Sequence, residues 1–153
     1  MGAGKSTHSA ALAEETNAVR ISEDEWLSAL YPGLIETFDD YREYSSRLKP
    51  LVFTHVKNLL QAGTHVVLDF PANTPGQRAW FRELAEAAGV TGKLVYVRAS
   101  DETCLAQIAK RRQQQPQRAQ FDTEPVFRQV TRFFQEPEDQ EGFDIDVIDA
   151  GEN

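Results

Sequence analysis

The sequence predicts an α/β domain with a mostly parallel sheet and helices on both faces. Three observations carry that expectation. Short apolar runs alternate with longer stretches of helical periodicity, the pattern of strand–helix–strand units. Two of the runs, Val66-Val67-Leu68 and Leu94-Val95-Tyr96-Val97, are unbroken, as in strands buried on both faces of a parallel sheet. The chain opens with Met1-Gly2-Ala3-Gly4-Lys5-Ser6-Thr7, the second half of a glycine-rich phosphate-binding loop that leads into a helix.

The elements follow in order. Lys5 to Glu15 reads as a helix whose Ala10, Ala11, Leu12 and Ala13 make a small-residue face. Ala18 to Ile21 is a short strand. Ser22 then caps a helix reaching Leu30, with Glu25 three residues on as a capping box, and Tyr31-Pro32-Gly33 ends it. From about Asp39 to Ala62 the pattern is helical, with Pro50 expected to start a second helix rather than sit inside one. Gly63 closes it. Val66–Leu68 is a strand, Pro75 to Ala88 a helix ending at Gly89, and Leu94–Val97 a strand. A helix from about Asp101 to Arg112 leads into the polar stretch Gln113 to Gln120. Glu124 to Phe134 is helical again, and Asp144 to Ile148 makes the last strand.

With 153 residues the chain is expected to form one domain, residues 1–153, with a real core. Hydrophobic residues at 41% and charged residues at 26% are ordinary for a globular protein. There is no signal peptide and no apolar run near the roughly 20 residues of a membrane span. The lone Cys104 excludes an internal disulfide and, with the missing leader, points to the cytoplasm. A net charge of -8 argues against long nucleic acids as partners, which basic surfaces hold. It says nothing against ATP, which such a loop binds through local N–H groups, a helix dipole and one lysine. His8, His55 and His65 lack metal-ligand spacing and read as surface or packing residues.

Gly2, Ala3, Gly4, Lys5, Ser6 and Thr7 are the first candidates. Glycines let backbone N–H groups converge on phosphates, because only glycine tolerates the dihedrals and the close approach. Lys5 would reach the β- and γ-phosphates and the Ser6 hydroxyl would ligate magnesium. The full signature begins with a glycine five residues before Gly4, which falls two positions ahead of Met1, and a launching strand would precede that. The sequence therefore reads as truncated, or as begun at a misassigned start.

Ligands in parallel sheets sit at the carboxyl ends of strands. Asp24 follows the first strand, Asp69 and Asn73 the second, Arg98 and Ser100 the third. Asp24 would accept a proton from an attacking hydroxyl or help position magnesium. The plainer alternative is that Glu23, Asp24 and Glu25 all complement the helix dipole, and Glu23 and Glu25 are read that way. Asp69 ends an apolar strand and needs a partner, for which magnesium or its water is the natural choice; a turn-forming Asp before Pro71 is the alternative. Arg78 would clamp a substrate phosphate or be solvated.

Lys110, Arg111, Arg112 and Arg118 form the only dense basic cluster. On a mobile polar segment at about 111–122 they suit a lid that closes over the transferred phosphoryl group, with Arg112 and Arg118 as the acting residues; a solvated basic face is the bland reading. Trp26, Tyr41, Tyr44, Arg47 and Phe53 lie between the first two strands, where such aromatics are more often core than platform. An acceptor pocket built from residues about 36–53 and 70–82 would use Arg47, Asn73 and Arg78. Cys104 reads as an inert buried thiol.

Together these residues resemble the P-loop kinase family of zeta-toxin-like and polynucleotide-kinase-like small ATPases, AAA-type ATP-binding proteins. The resemblance rests on Gly-Ala-Gly-Lys-Ser-Thr, Ser22-x-Asp24, Gly63-x-x-Val-Val-Leu-Asp69, Asn73, Arg78, the arginine lid, Glu136-Pro137-Glu138 and Ile145-Asp146-Val147-Ile148. It implies a three-layer α/β/α, nucleoside-kinase-like fold of five parallel strands ordered 2-3-1-4-5, with the central first strand absent from this sequence. The strands Val66–Leu68 and Leu94–Val97 would then lose their shared neighbour.

It also implies a kinase that uses ATP and Mg2+ to phosphorylate a hydroxyl of a small molecule or nucleotide. A nucleotide-binding or interaction module without catalysis, and a toxin that phosphorylates a nucleotide sugar, are the alternatives.

Overall fold

The computed structural model describes residues 1–115 and 119–150. Its elements alternate as the sequence predicts. They are α1 (Lys5–Glu15), β1 (Val19–Ser22), α2 (Glu23–Leu30), α3 (Phe38–Gln61), β2 (Val66–Asp69), α4 (Pro75–Ala88), β3 (Lys93–Arg98), α5 (Asp101–Gln114), α6 (Glu124–Arg132) and β4 (Asp144–Asp149). A 3-10 turn, Asp139–Glu141, precedes β4. The chain has an α/β fold with parallel strands.

The strands form two parallel pairs, β1 with β2 and β3 with β4. In the first, Ile21 lies opposite Leu68 and Ser22 opposite Asp69. In the second, Leu94 faces Ile145 and Val97 faces Ile148. Among the described residues each strand pairs along one edge. The two apolar runs are accordingly half-buried rather than enclosed on both faces, and Val147 is half exposed.

The chain divides into two compact units. One comprises Met1–Lys5, Ala72–Trp80 and Gly92–Asn153, and its core gathers Cys104, Ile108 and Phe127, with Met1, Ala3, Ala99 and Leu105 against them. The other comprises Ser6–Pro71 and Phe81–Thr91. Its buried apolar residues include Ala13, Ile21, Leu27, Leu48, Val52, Val56, Phe70 and Leu84.

Local chemistry sets the element ends, with two departures from expectation. The Ser22 hydroxyl caps α2 by accepting from Glu25 N, but the Glu25 carboxylate turns to Arg20 instead of completing a box. A reciprocal capping box forms at Thr37 and Asp40, where α3 begins. Pro50 lies inside α3, which runs unbroken to Gln61. Its buried stripe, Ser45, Leu48, Val52 and Val56, continues across the proline at helical spacing, so packing overrides the one backbone hydrogen bond that proline removes.

Candidate functional site

The loop Gly2–Ala3–Gly4 turns left-handed at both glycines, φ 78° and 85°, and α1 starts at the next residue. Such alternation points successive N–H groups into one concavity, an anion nest at a helix N-terminus. Gly2 is also forced by space. A Cβ there would lie 2.5 Å from the Cys104 carbonyl oxygen and 2.9 Å from Ile108 Cγ1 of α5. Lys5, Ser6 and Thr7 occupy the exposed first turn of α1.

In the second unit, β1 and β2 bring acidic residues to their carboxyl ends as the sequence predicts. Asp69 is 2% exposed, and its counter-charge is Arg20, whose Nη2 donates to Oδ2 at 2.6 Å. The expected partner is magnesium or its water; the structure supplies a guanidinium. Arg20 also donates through Nη1 to Glu25 Oε1 at 2.7 Å and through Nε to Ser9 Oγ at 2.8 Å. Arg20 escaped the sequence reading. The signal lay in the register: Ser22 pairs with Asp69, so Arg20, two residues earlier on the same face of β1, lies diagonally beside the carboxylate.

Asp24 is exposed on the first turn of α2. Glu23 is not the helix-dipole residue it was expected to be. It is 1% exposed, and its carboxylate accepts from Tyr41 Oη at 2.7 Å and Ser45 Oγ at 2.5 Å, pinning α2 to α3. Burial, then the Glu23 charge, pushes the Tyr41 phenol far above its ordinary range. Tyr44 packs against Tyr31 with ring centroids 4.2 Å apart, and Arg47 lies 5.4 Å from the Tyr44 centroid while pairing with Glu43.

In the first unit, Asn73 has its backbone held on both sides. Its N–H donates to Gln77 Oε1 at 2.7 Å and its carbonyl accepts from Gln135 N at 2.8 Å. None of the described hydrogen bonds involves its side-chain amide. Arg78 is neither a solvated nor an anion-facing residue here. It is fully buried, with its guanidinium bound to Glu141 and to the carbonyls of Ala72 and Gln135. Beyond β3, Arg98 pairs with Asp149 of β4, and Ser100 caps α5 through Thr103 N.

The lid region also differs from expectation. The helix α5 continues to Gln114, which puts Arg112 in its last turn instead of on a polar connection. Arg111 grips the buried Asp122 through Nε and Nη2. Arg112 lines an open cavity of about 590 Å3 with Leu105, Ile108, Ala109 and Ala119. Arg118 lies outside the described residues. Cys104 is buried, and burial raises its thiol pKa.

Among the described residues no cluster of three or more His, Cys, Asp or Glu side chains could hold a metal by itself, and no helix is long and apolar enough to cross a membrane. A magnesium site here would be one carboxylate and one hydroxyl completed by phosphate, the usual arrangement for that ion.

The fold and the loop define a P-loop-kinase-like α/β protein. The chain belongs to the AAA domain family, whose model matches residues 1–137. No curated protein matches it. Among solved structures it is similar to a "putative kinase" from Chloroflexus aurantiacus J-10-fl, with a TM-score of 0.72 over 96% of this chain and 79% of that one. At 19% identity this likeness speaks to the fold.

Proposed function

We propose that the protein is a kinase that transfers the γ-phosphate of Mg·ATP to a hydroxyl of a small molecule or nucleotide. The observation that carries the reading is the left-handed Gly2–Ala3–Gly4 turn immediately ahead of Lys5 and the α1 N-terminus. Family membership and the likeness to a protein described as a kinase support it.

The residues fit the ligand. Backbone N–H groups of Gly2 to Thr7 would cradle the phosphates, and Lys5 would neutralise their outer oxygens. Ser6 and Asp69 would hold Mg2+, which when bound supplies charge neutralisation to the polyphosphate. Asp24, exposed at the end of β1, would accept the proton of the attacking hydroxyl. Asn73, its backbone held by Gln77 and Gln135, would orient the acceptor through its amide, and Arg47 would add a cation to the acceptor pocket. Arg112, with Arg118, would stabilise charge on the transferred group.

The chemistry needs little covalent participation from the protein, so positioning and electrostatics account for most of the rate. Replacing Lys5 with Ala tests the reading, since an exposed side chain can be removed without emptying the core. Mg·ATP turnover should vanish while the melting transition stays in place. Turnover unchanged in Lys5→Ala removes the site from this loop.

A further inference from the structure

A continuous chain of hydrogen bonds joins the two residues assigned to the metal. Asp69 Oδ2 accepts from Arg20 Nη2 at 2.6 Å, and Arg20 Nε donates to Ser9 Oγ at 2.8 Å. Ser9 Oγ in turn donates to the Ser6 carbonyl at 2.9 Å. Ser9 and Asp69 are buried, and the Arg20 side chain is about four-fifths enclosed. We infer that Arg20 and Ser9 are positioning residues that couple the carboxylate of Asp69 to the first turn of α1, and so set the geometry in which Ser6 and Asp69 meet a divalent cation beside bound nucleotide.

Three features argue for positioning over mere neutralisation of a buried carboxylate. A lone counter-ion for Asp69 would need one bond, whereas the Arg20 guanidinium is divided among three elements: Ser9 on α1, Glu25 on α2 and Asp69 on β2. A planar guanidinium fixes all three directions at once, which a lysine ammonium on a flexible stem does not. The relay also ends on the backbone of Ser6, the residue whose hydroxyl is assigned to the metal, and not on an arbitrary surface group. Partners that orient first-layer ligands in this way typically govern metal affinity by about 10–100-fold.

This inference rests on the nucleotide-binding reading, and the experiment separates the two. The probes are ADP and Mn2+, used on the whole chain. Calorimetry gives the ADP dissociation constant without metal, and electron paramagnetic resonance gives that of Mn2+ at saturating ADP. In Arg20→Met the Mn2+ affinity should fall about 10-fold or more while metal-free ADP affinity stays within about 3-fold. Arg20→Lys keeps the charge beside Asp69 but not the link to Ser9, so its Mn2+ affinity should remain depressed. Ser9→Ala leaves the Arg20–Asp69 pair intact and should lower Mn2+ affinity in the same direction with its melting transition near that of the parent. That variant keeps the test decisive even where Arg20→Met fails to fold.

Equal Mn2+ affinity in Ser9→Ala and the parent overturns the relay, as does a loss of metal-free ADP affinity as large as the loss for Mn2+. If the parent binds ADP with no response to Mn2+, the metal role of Ser6 and Asp69 falls and the relay with it. If the parent binds no ADP, the nucleotide-binding reading itself is overturned, and the relay loses its purpose.

Discussion

Arg78 and Glu141, 63 residues apart in sequence, form a bidentate ion pair, with Nε to Oε2 at 2.6 Å and Nη2 to Oε1 at 2.7 Å. The same guanidinium donates to the carbonyls of Ala72 and Gln135, each at 2.9 Å. A fully buried cation is tolerated only because every face of it is answered. Arg78 thereby ties the start of α4 to the 3-10 turn at Asp139–Glu141, and holds the carbonyl of Ala72 just ahead of Asn73.

Removing either partner breaks a buried ion pair, at a cost of about 3–5 kcal/mol. Arg78→Met and Glu141→Met should each lower the urea midpoint by that order. The double variant should lie closer to the parent than either single one, because it removes both charges of the buried pair together. Single-variant losses within about 0.5 kcal/mol, the range of ordinary surface changes, would show that the pair is ornamental.

Two glycines separate backbone strain from steric closure. Gly33, φ 73°, has nothing within 4 Å of a hypothetical Cβ, so Gly33→Ala should cost only the left-handed penalty of about 1–2 kcal/mol. Gly2→Ala adds an overlap with the Cys104 carbonyl, which no rotamer change relieves. Its melting temperature should fall further than that of Gly33→Ala, and its ADP affinity should drop by about 10-fold or more as the nest opens. Wild-type ADP affinity in Gly2→Ala, read by calorimetry, would separate the loop from nucleotide.

Much of the architecture was legible because it rests on local signals. Turn and capping residues bound the helices, and apolar runs mark the strands, so most elements fall within a residue or two of their expected limits. What was not legible depends on partners distant in sequence. Nothing near Arg78 announces Glu141, nothing near Glu23 announces Tyr41 and Ser45, and Arg20 meets Asp69 only through the parallel register of β1 and β2. Charged side chains are therefore where local reading failed most. An exposed role was assigned to Arg78 and Glu23, and tertiary contacts enclose both.

Adjacent carboxylates offer the next test. Glu23 and Asp24 are chemically alike, yet one is enclosed by two hydroxyls and the other faces solvent. Glu23→Gln disturbs two hydrogen bonds, one of them buried, and should destabilise by about 1–3 kcal/mol. Asp24→Asn should leave stability and ATP affinity within a few-fold of the parent while slowing phosphoryl transfer by about 10²-fold or more, since it keeps shape but removes a proton acceptor. Collapse of ATP affinity in Asp24→Asn would make that residue a metal or structural group instead.

The neighbouring arginines of α5 divide in the same way. Arg111 makes two hydrogen bonds to Asp122, which is buried, so the pair closes the base of the connection between α5 and α6. Arg112, one residue on, lines the cavity beside Ala109 and Ala119. Arg111→Ala should take the bidentate cation from the buried Asp122 carboxylate and lower the melting temperature, with a cost of about 3 kcal/mol, the lower end for a broken buried pair because Arg111 retains some exposure. Arg112→Ala should leave the melting temperature within the scatter of surface substitutions while slowing phosphoryl transfer, because a cation in the last turn can reach charge building on a transferred group only if it is not committed elsewhere. Paired melting curves and single-turnover rates on the two variants check the division. A stable but slow Arg111→Ala beside an unstable Arg112→Ala would reverse the roles and move the catalytic cation to the first of the two.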